Sequence, residues 1–466
     1  MASWDRRPPA AQDKQRAAAV RTQVVDAVAP FSPFWRERLA ALGRTPASVA
    51  TPEALDALPA VGERDVCPDG DPAAAGALVL QAGERGWALH AEGPQLRKAL
   101  SRRLLAPRSY AAVVEADTRP TSFVWAGRSL RFPVASTRSD LDVVARCGAR
   151  LWSVLGLTRA DVVVSALPLL PSAEAQALQL GALGAGAPLL APGDAADDVA
   201  AALALVPATV LALPAQGAAD AVDDLDEAAA ALSSLTTLLL VGAPDEAERA
   251  AAREALRRAG ADAEVLAVHV PDGHRLAWGE CRESGGSTGL HTHPDLELLQ
   301  VVDVETGEAP TSGSGARELV LTQLGLRGSA LLRWRTGDVV DAVTGDACPA
   351  CGRTVPRVIG ARRGALVPSL ALRTGAAVVD LRAVTAALLG RPDLDDWRVE
   401  VRSSTRDGVE QLLVHLDPAP DADPAAVALA VADALQATSG LLPTQLVLAE
   451  PGRLPGGGQG RVLLRR

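Results

Sequence analysis

Lysine is almost missing from this chain. Lys14 and Lys98 are the only two, so every cation beyond residue 98 is an arginine. This excludes chemistry that needs a flexible ammonium point charge in the rest of the chain. Aromatic residues make up only 3%, with a single tyrosine, Tyr110, and the eight tryptophans follow no stacking pattern. They are expected in the core or at its rim. Positive charge is also short. Asp and Glu number 56 against 46 Lys and Arg, for a formal net charge of −10. Nucleic acid and anionic membranes both require a basic face, so neither is expected as the main partner. No stretch of about 18 apolar residues escapes charge and turn signals, so no spanning helix is expected. The opening "MASWDRRPPAAQDKQRAAAV" has no apolar core and does not read as a signal peptide. A cytoplasmic location is the default expectation. Five cysteines without an export signal argue for metal or redox chemistry rather than a disulfide framework.

What is present is a large, alanine-rich chain of 466 residues, 48% hydrophobic. The scarcity of Lys, Phe and Tyr beside so much Ala is the composition of a GC-rich genome. At roughly 100–200 residues per domain, two to four domains are expected. Residues 12–42 read as a helix broken at "APFSPF" and closed at Gly43. Thr51 is placed to cap a short helix. The runs "DVVVSALPL", "APLLAP", "ATVLALP" and "TTLLLVGAP" are short apolar strands separated by helical stretches such as "DEAERAAAREALRRAGA". That alternation predicts a parallel sheet covered on both faces. The Ala/Asp-rich segment 194–232 keeps helical spacing. From about Leu296 the pattern turns to β-hairpin runs, which predicts a mixed or barrel-like β unit. After "VIGARRGAL" a smaller α+β module follows, with helices at "DLRAVTAALLG" and "DPAAVALAVADALQATSG" and strands at "DWRVEVRS", "EQLLVHLDP" and "TQLVLAE". The expected division is 1–360 and 361–466.

Cys348-Pro-Ala-Cys351 followed by Gly352 has zinc-knuckle spacing. A tight turn brings both sulfurs to about 2.3 Å from one ion. A structural zinc needs four ligands, and "GECRESGGSTGLHTHPD" offers Cys281 with His291 or His293. Cys281 and His291 complete a Cys₃His set. An unmetallated turn and a dithiol redox pair remain the alternatives. Cys67 and Cys147 read as isolated structural thiols. His269 and His274 read as surface or loop residues, and His415 as facing out of a strand.

The stretch "TGLHTHPDLELLQVVDVETGEAPTSGSGARELVLTQLGLRGSALLRWRTGDVVD", with "CPACGRTVPRVIG" after it, resembles the phenylacetate–CoA ligase family of AMP-forming, or adenylate-forming, ligases. "APFSPFWRERLAALG" and "TPEALDALPAV" are similar to that family's opening helices. The resemblance runs over almost the whole chain, is specific around 281–360 and is weak between 100 and 270. It implies a large N-terminal α/β plus β-barrel-like domain and a small C-terminal α+β lid. It implies activation of a carboxylate by ATP with magnesium, and transfer of the acyl group to CoA. It also implies a structural zinc on Cys281, His291, Cys348 and Cys351.

Position by position, the family's chemistry is incomplete here. Asp338 of the Thr-Gly-Asp motif matches the carboxylate that accepts the ribose hydroxyls. The phosphate loop aligns on "VWAGRSLRF", where Gly127, Arg128 and Ser129 could hold one phosphate. Trp125 and Leu130 do not suit a cradle of backbone N–H groups, and a plain strand-turn-strand is expected instead. The family's magnesium-holding Glu falls on Gly273, with Asp272 one residue away, and another acid falls on Ala243. The hinge aligns on Gly360 to Gly364 without its Asp pair, leaving Arg362 near the place of a ribose-binding Arg. The catalytic lysine falls on Arg461, whose planar fork cannot match an ammonium.

Three functions follow. The first is a catalytically degenerate ligase homologue that binds a nucleotide, a small carboxylic acid or a protein partner, or pairs with a second copy of itself. The second is an active, divergent ligase of an aryl or other carboxylic acid. The third is a thiol redox protein built on Cys348 and Cys351. The first is favoured, because phosphate loop, acid and lysine are missing together.

Overall fold

A computed structural model describes residues 4–81, 104, 115–127, 131–168, 171–225, 229–284, 288–304, 307–311, 317–362, 370–371, 378–379, 384, 387–388, 391–403, 410–439, 443, 445–449, 454 and 462–465. The chain divides into two compact units. One comprises Met1–Ala126 with Phe132–Arg363, and the other Gly127–Arg131 with Gly364–Arg466. No described helix is long and apolar enough to cross a membrane.

The first unit opens with helix α1 (Pro9–Arg21), whose start at Pro9 suits proline's fixed φ. It continues through a wide π-helical turn at Thr22–Val28. The break at "APFSPF" falls at Ser32, whose hydroxyl accepts from the Trp35 N–H and starts α2 (Pro33–Ala41). Gly43, at φ 62, closes that segment. Thr51 caps α3 (Pro52–Asp56) by accepting from the Ala54 N–H at 3.2 Å. Strands β1 (Pro120–Ala126) and β2 (Phe132–Thr137) pair antiparallel, with Trp125 opposite Pro133, as the strand-turn-strand reading expected. Helix α4 (Arg138–Val154) begins with a reciprocal cap between Thr137 and Asp140. It crosses α5 (Ala173–Ala185) at two glycines, where a Cβ on Gly148 would lie 2.0 Å from the Gly181 Cα. Only glycine permits that approach.

The four apolar runs form β3 (Val163–Ser165), β4 (Leu189–Leu190), β5 (Val210–Pro214) and β6 (Thr237–Val241), joined by β7 (Glu264–His269). They pair in parallel in the order β4-β3-β5-β6-β7. On one face, Leu211, Leu213, Leu238 and Leu240 pack on α6 (Ala196–Leu205) and α7 (Glu246–Arg258). Leu239 points the other way and is equally buried, so both faces are covered and the strand is apolar from Leu238 to Val241. Each such leucine contributes about 2 kcal/mol of burial. Beyond β7 the sheet turns antiparallel through β8 (Trp278–Gly279) and β9 (Leu290–His291). The β-rich section then forms a separate three-stranded antiparallel sheet of β10 (Glu297–Asp303), β11 (Arg317–Gln323) and β12 (Trp334–Val339). Strands β13 (Ala342–Thr344) and β14 (Arg357–Ile359) return to the large sheet, and β14 pairs with β9.

In the second unit a short pair, β15 (Leu370–Ala371) and β16 (Val378–Val379), precedes a four-stranded sheet. That sheet consists of β17 (Leu394–Ser403), β18 (Glu410–Pro418), β19 (Gln445–Leu448) and β20 (Val462–Arg465). Val427, Val431 and Leu435 form the buried stripe of α8 (Pro424–Ser439) and pack on Trp397, Val399, Val414 and Leu416. Of the helix expected at "DLRAVTAALLG", Val384, Ala387 and Leu388 are described as helical and the rest lies outside the described residues. His415 does not face outward. It is 7% exposed and its Nε2 lies 2.7 Å from Glu400 Oε2, on the strand paired with its own.

Candidate functional site

Cys281 follows β8, His291 ends β9, and Cys348 and Cys351 sit in the turn between β13 and β14. Because β9 pairs with both β8 and β14, the sheet brings the three segments to one place. Gly352, at φ 69, closes the turn, with its N–H donating to the Cys348 carbonyl at 2.8 Å. All four side chains are buried and their ligand atoms lie within 4.8 Å of one another. Cys281 Sγ is 3.8 Å from Cys348 Sγ, and Cys351 Sγ is 3.6 Å from His291 Nε2. A tetrahedral zinc with Zn–S of about 2.3 Å and Zn–N of about 2.0 Å spaces its sulfurs by about 3.8 Å and sulfur from nitrogen by about 3.5 Å. The donor set therefore fits that ion. The five cysteines form no disulfides. His293, the other histidine weighed, turns away, with Nε2 3.0 Å from the Ala277 carbonyl.

The electrostatics prepare the same groups for a cation. Burial, with help from Arg353 and Arg357, pushes His291 down to about 3, so its ring is neutral. Burial acts to raise the Cys348 thiol, but hydrogen bonds from the Cys351 and Ala350 backbone and from Thr288 outweigh it and bring the thiol down to about 7. The knuckle also holds the start of the chain. Arg6 donates to the Cys351 carbonyl at 2.9 Å, Arg353 pairs with Asp5 at 2.8 Å, and the Thr354 N–H donates to the Asp5 carbonyl.

The position matched to ribose binding is built differently. Asp338, near the end of β12, has no solvent exposure, and its Oδ2 lies 2.9 Å from His269 Nε2. His269 is thus no surface residue. Strand β7 carries it inward, and it is as completely buried as its partner. Trp334 closes the same region, edge-on to Phe132 at 5.5 Å. Gly273, in place of the family's acid, has φ 71, and a Cβ there would meet Leu331 at 2.8 Å and Trp334 Nε1 at 2.9 Å. His274, also expected at the surface, is fully buried with Nε2 2.8 Å from Glu297 Oε2. Arg362 is joined to Val339 through the backbone, and its side chain pairs with Asp341 at 2.8 Å. Gly127 has φ 88, while Ser129 and Arg461 lie outside the described residues.

One structural centre carried no signal in the sequence. Arg275 is fully buried and donates to the Ala135 and Ser329 carbonyls, to Asp140 at 3.2 Å and to Gln323 at 2.6 Å. Asp140 also accepts from the Arg327 and Gly328 N–H groups, both at 2.7 Å. Asp140 thereby locks the start of α4 to the loop before β12.

No protein-family model and no curated protein matches this sequence. Solved structures match its fold. 2-Hydroxyisobutyryl-CoA ligase in the postadenylation state with R3-HIB-AMP superposes with a TM-score of 0.62 at 17% identity, over 99% of this chain and 91% of that one. The same ligase with 2-HIB-AMP and CoA in the thioesterification state gives 0.60 at 16% identity, over 99% and 91%. Its open conformation gives 0.60 at 17%, over 99% and 93%. The chain has the adenylate-forming ligase fold. At these identities the likeness concerns architecture, and the residues must be judged at their own positions.

Proposed function

We propose that this chain is a catalytically silent homologue of the phenylacetate–CoA ligase group, stapled by a structural zinc and acting by binding a small acid or a protein rather than by turnover. The observation that carries the reading is the Asp338 carboxylate, fully buried against His269. A ribose would have to displace a hydrogen bond between two groups that never meet solvent. The missing lysine beyond Lys98 supports the same reading. Adenylation needs charge stabilised on phosphate and carboxylate together, and no single retained group supplies that. Four closed protein ligands leave no position for substrate on the metal, so the zinc holds segments together and takes no part in chemistry.

The test is pyrophosphate exchange over a panel of aryl and short aliphatic acids, beside ATP calorimetry. No exchange above background and no ATP heat are expected. Exchange with any one acid overturns the silent reading. Metal analysis should find about one zinc per chain, and less than about half an equivalent would count against the Cys₃His centre.

A further inference from the structure

We propose that Arg357 is the counter-ion of the metal–thiolate centre, a buried cation that balances the negative charge of Cys281, Cys348 and Cys351 once a divalent ion is bound with His291. The inference rests on the zinc reading above. Three thiolates and one divalent ion leave one net negative charge in a buried place. A charge so placed requires a partner.

Arg357 opens β14 directly opposite His291 of β9 in the strand register. It is 6% exposed. Its Nη1 donates to the Thr288 carbonyl and its Nη2 to the Asp346 carbonyl at 3.4 Å. Its Nε is buried and has no hydrogen-bond partner among the described residues. No carboxylate pairs with it among the described residues. Three other buried arginines differ in this respect, since Arg249 pairs with Glu280, Arg275 with Asp140 and Arg353 with Asp5. Two carbonyl dipoles do not neutralise a full buried charge, so the structure around Arg357 is incomplete without an anion. The thiolates are that anion. Thr288 links the two, with its carbonyl on Arg357 and its hydroxyl 3.4 Å from Cys348 Sγ and 3.7 Å from Cys281 Sγ. Arg353, the other nearby arginine, reaches the Cys351 side chain as well as Asp5, but the Asp5 carboxylate already balances its charge, so the net charge of the centre is left to Arg357. Arg6 touches the Cys351 carbonyl from an exposed position, where water screens it.

The test compares Arg357→Met, which keeps bulk and loses charge, with Arg357→Lys, which keeps charge and changes shape. Zinc affinity is read by competition with a chromophoric chelator on the full chain, and cobalt replacement reports the ligand set through its thiolate charge-transfer bands. R357M should hold zinc about 10–100-fold more weakly, the range for residues just outside a metal's ligands, and R357K should stay near the parent. A second cycle is independent of how well R357M tolerates the loss. Cys281→His makes the centre electrically neutral, so adding R357M to it should cost no further affinity. Unchanged zinc affinity in R357M, or an equal loss in R357K, overturns the counter-ion role and leaves the metal centre standing. A parent chain that takes up no zinc removes the centre itself, and with it the proposal.

Discussion

The knuckle and the end of β12 lie in the same unit, and both join residues far apart in sequence. Cys281 meets Cys348 across 67 positions and His269 meets Asp338 across 69. Their chemistry is opposite. The knuckle gathers four groups that can each offer an electron pair to one cation. The strand end sets a hydrogen-bond donor against an acceptor, His269 Nε2 and Asp338 Oδ2, with both side chains out of solvent.

The sharpest way to break this comparison is Cys351→Ser. It should release zinc and lower unfolding stability by at least about 4 kcal/mol, given the large free energy of structural zinc binding. Hydrogen exchange at residues 4–12 should quicken at the same time, because Arg6 and the Arg353–Asp5 pair hang on the knuckle. Unaltered exchange there would show that the N-terminal segment is held by other contacts. Next is Gly273→Glu, which puts an acid where the resemblance expects one. The left-handed backbone and the contacts with Leu331 and Trp334 should make it cost about 3 kcal/mol in denaturant unfolding. ATP calorimetry should remain flat. A folded variant that gained nucleotide binding would show that the region can still open.

Asp338→Asn should cost about 2 kcal/mol by weakening a buried charged hydrogen bond, with no effect on nucleotide binding. If the parent binds ATP and this variant does not, Asp338 serves the ribose after all. The smallest effect concerns Asp56, half-buried near Arg333, the one described non-glycine residue at positive φ. Burial raises Asp56 to about 6, against the opposing pull of Arg333. The folded chain thus holds this proton more tightly than the unfolded chain. Its contribution is fully present below the ordinary 3.8 and is lost as pH rises through about 6. Asp56→Asn should therefore be more stable than the parent above pH 6, by about 1 kcal/mol after allowance for solvent contact, and equal to it near pH 3. Melting curves across that range would show the difference vanish on acidification, and a constant offset would assign it to packing instead.

Much of the architecture was legible because it is local. Thr51 announced a helix start, the apolar runs announced buried parallel strands, and the spacing at 424–439 announced the helix that packs on Trp397. The knuckle was legible for the same reason, since two ligands lie three residues apart and the other two in one glycine-rich loop. His269, His274 and His415 were misjudged as exposed. A histidine's place depends on whether a distant carboxylate comes to meet it, and Asp338, Glu297 and Glu400 do so only after the sheets form.

By itself, then, the sequence determined the order of strands and helices and the short spacings that the Cys/His cluster is built from, because propensity, periodicity and spacing act over a few residues. Tertiary structure alone decided that Asp338 faces His269, that Arg275 holds Asp140, and that Arg357 sits opposite His291 without a carboxylate. Those outcomes depend on which buried charges are brought together, and a chain does not choose these partners until its sheets have closed around them.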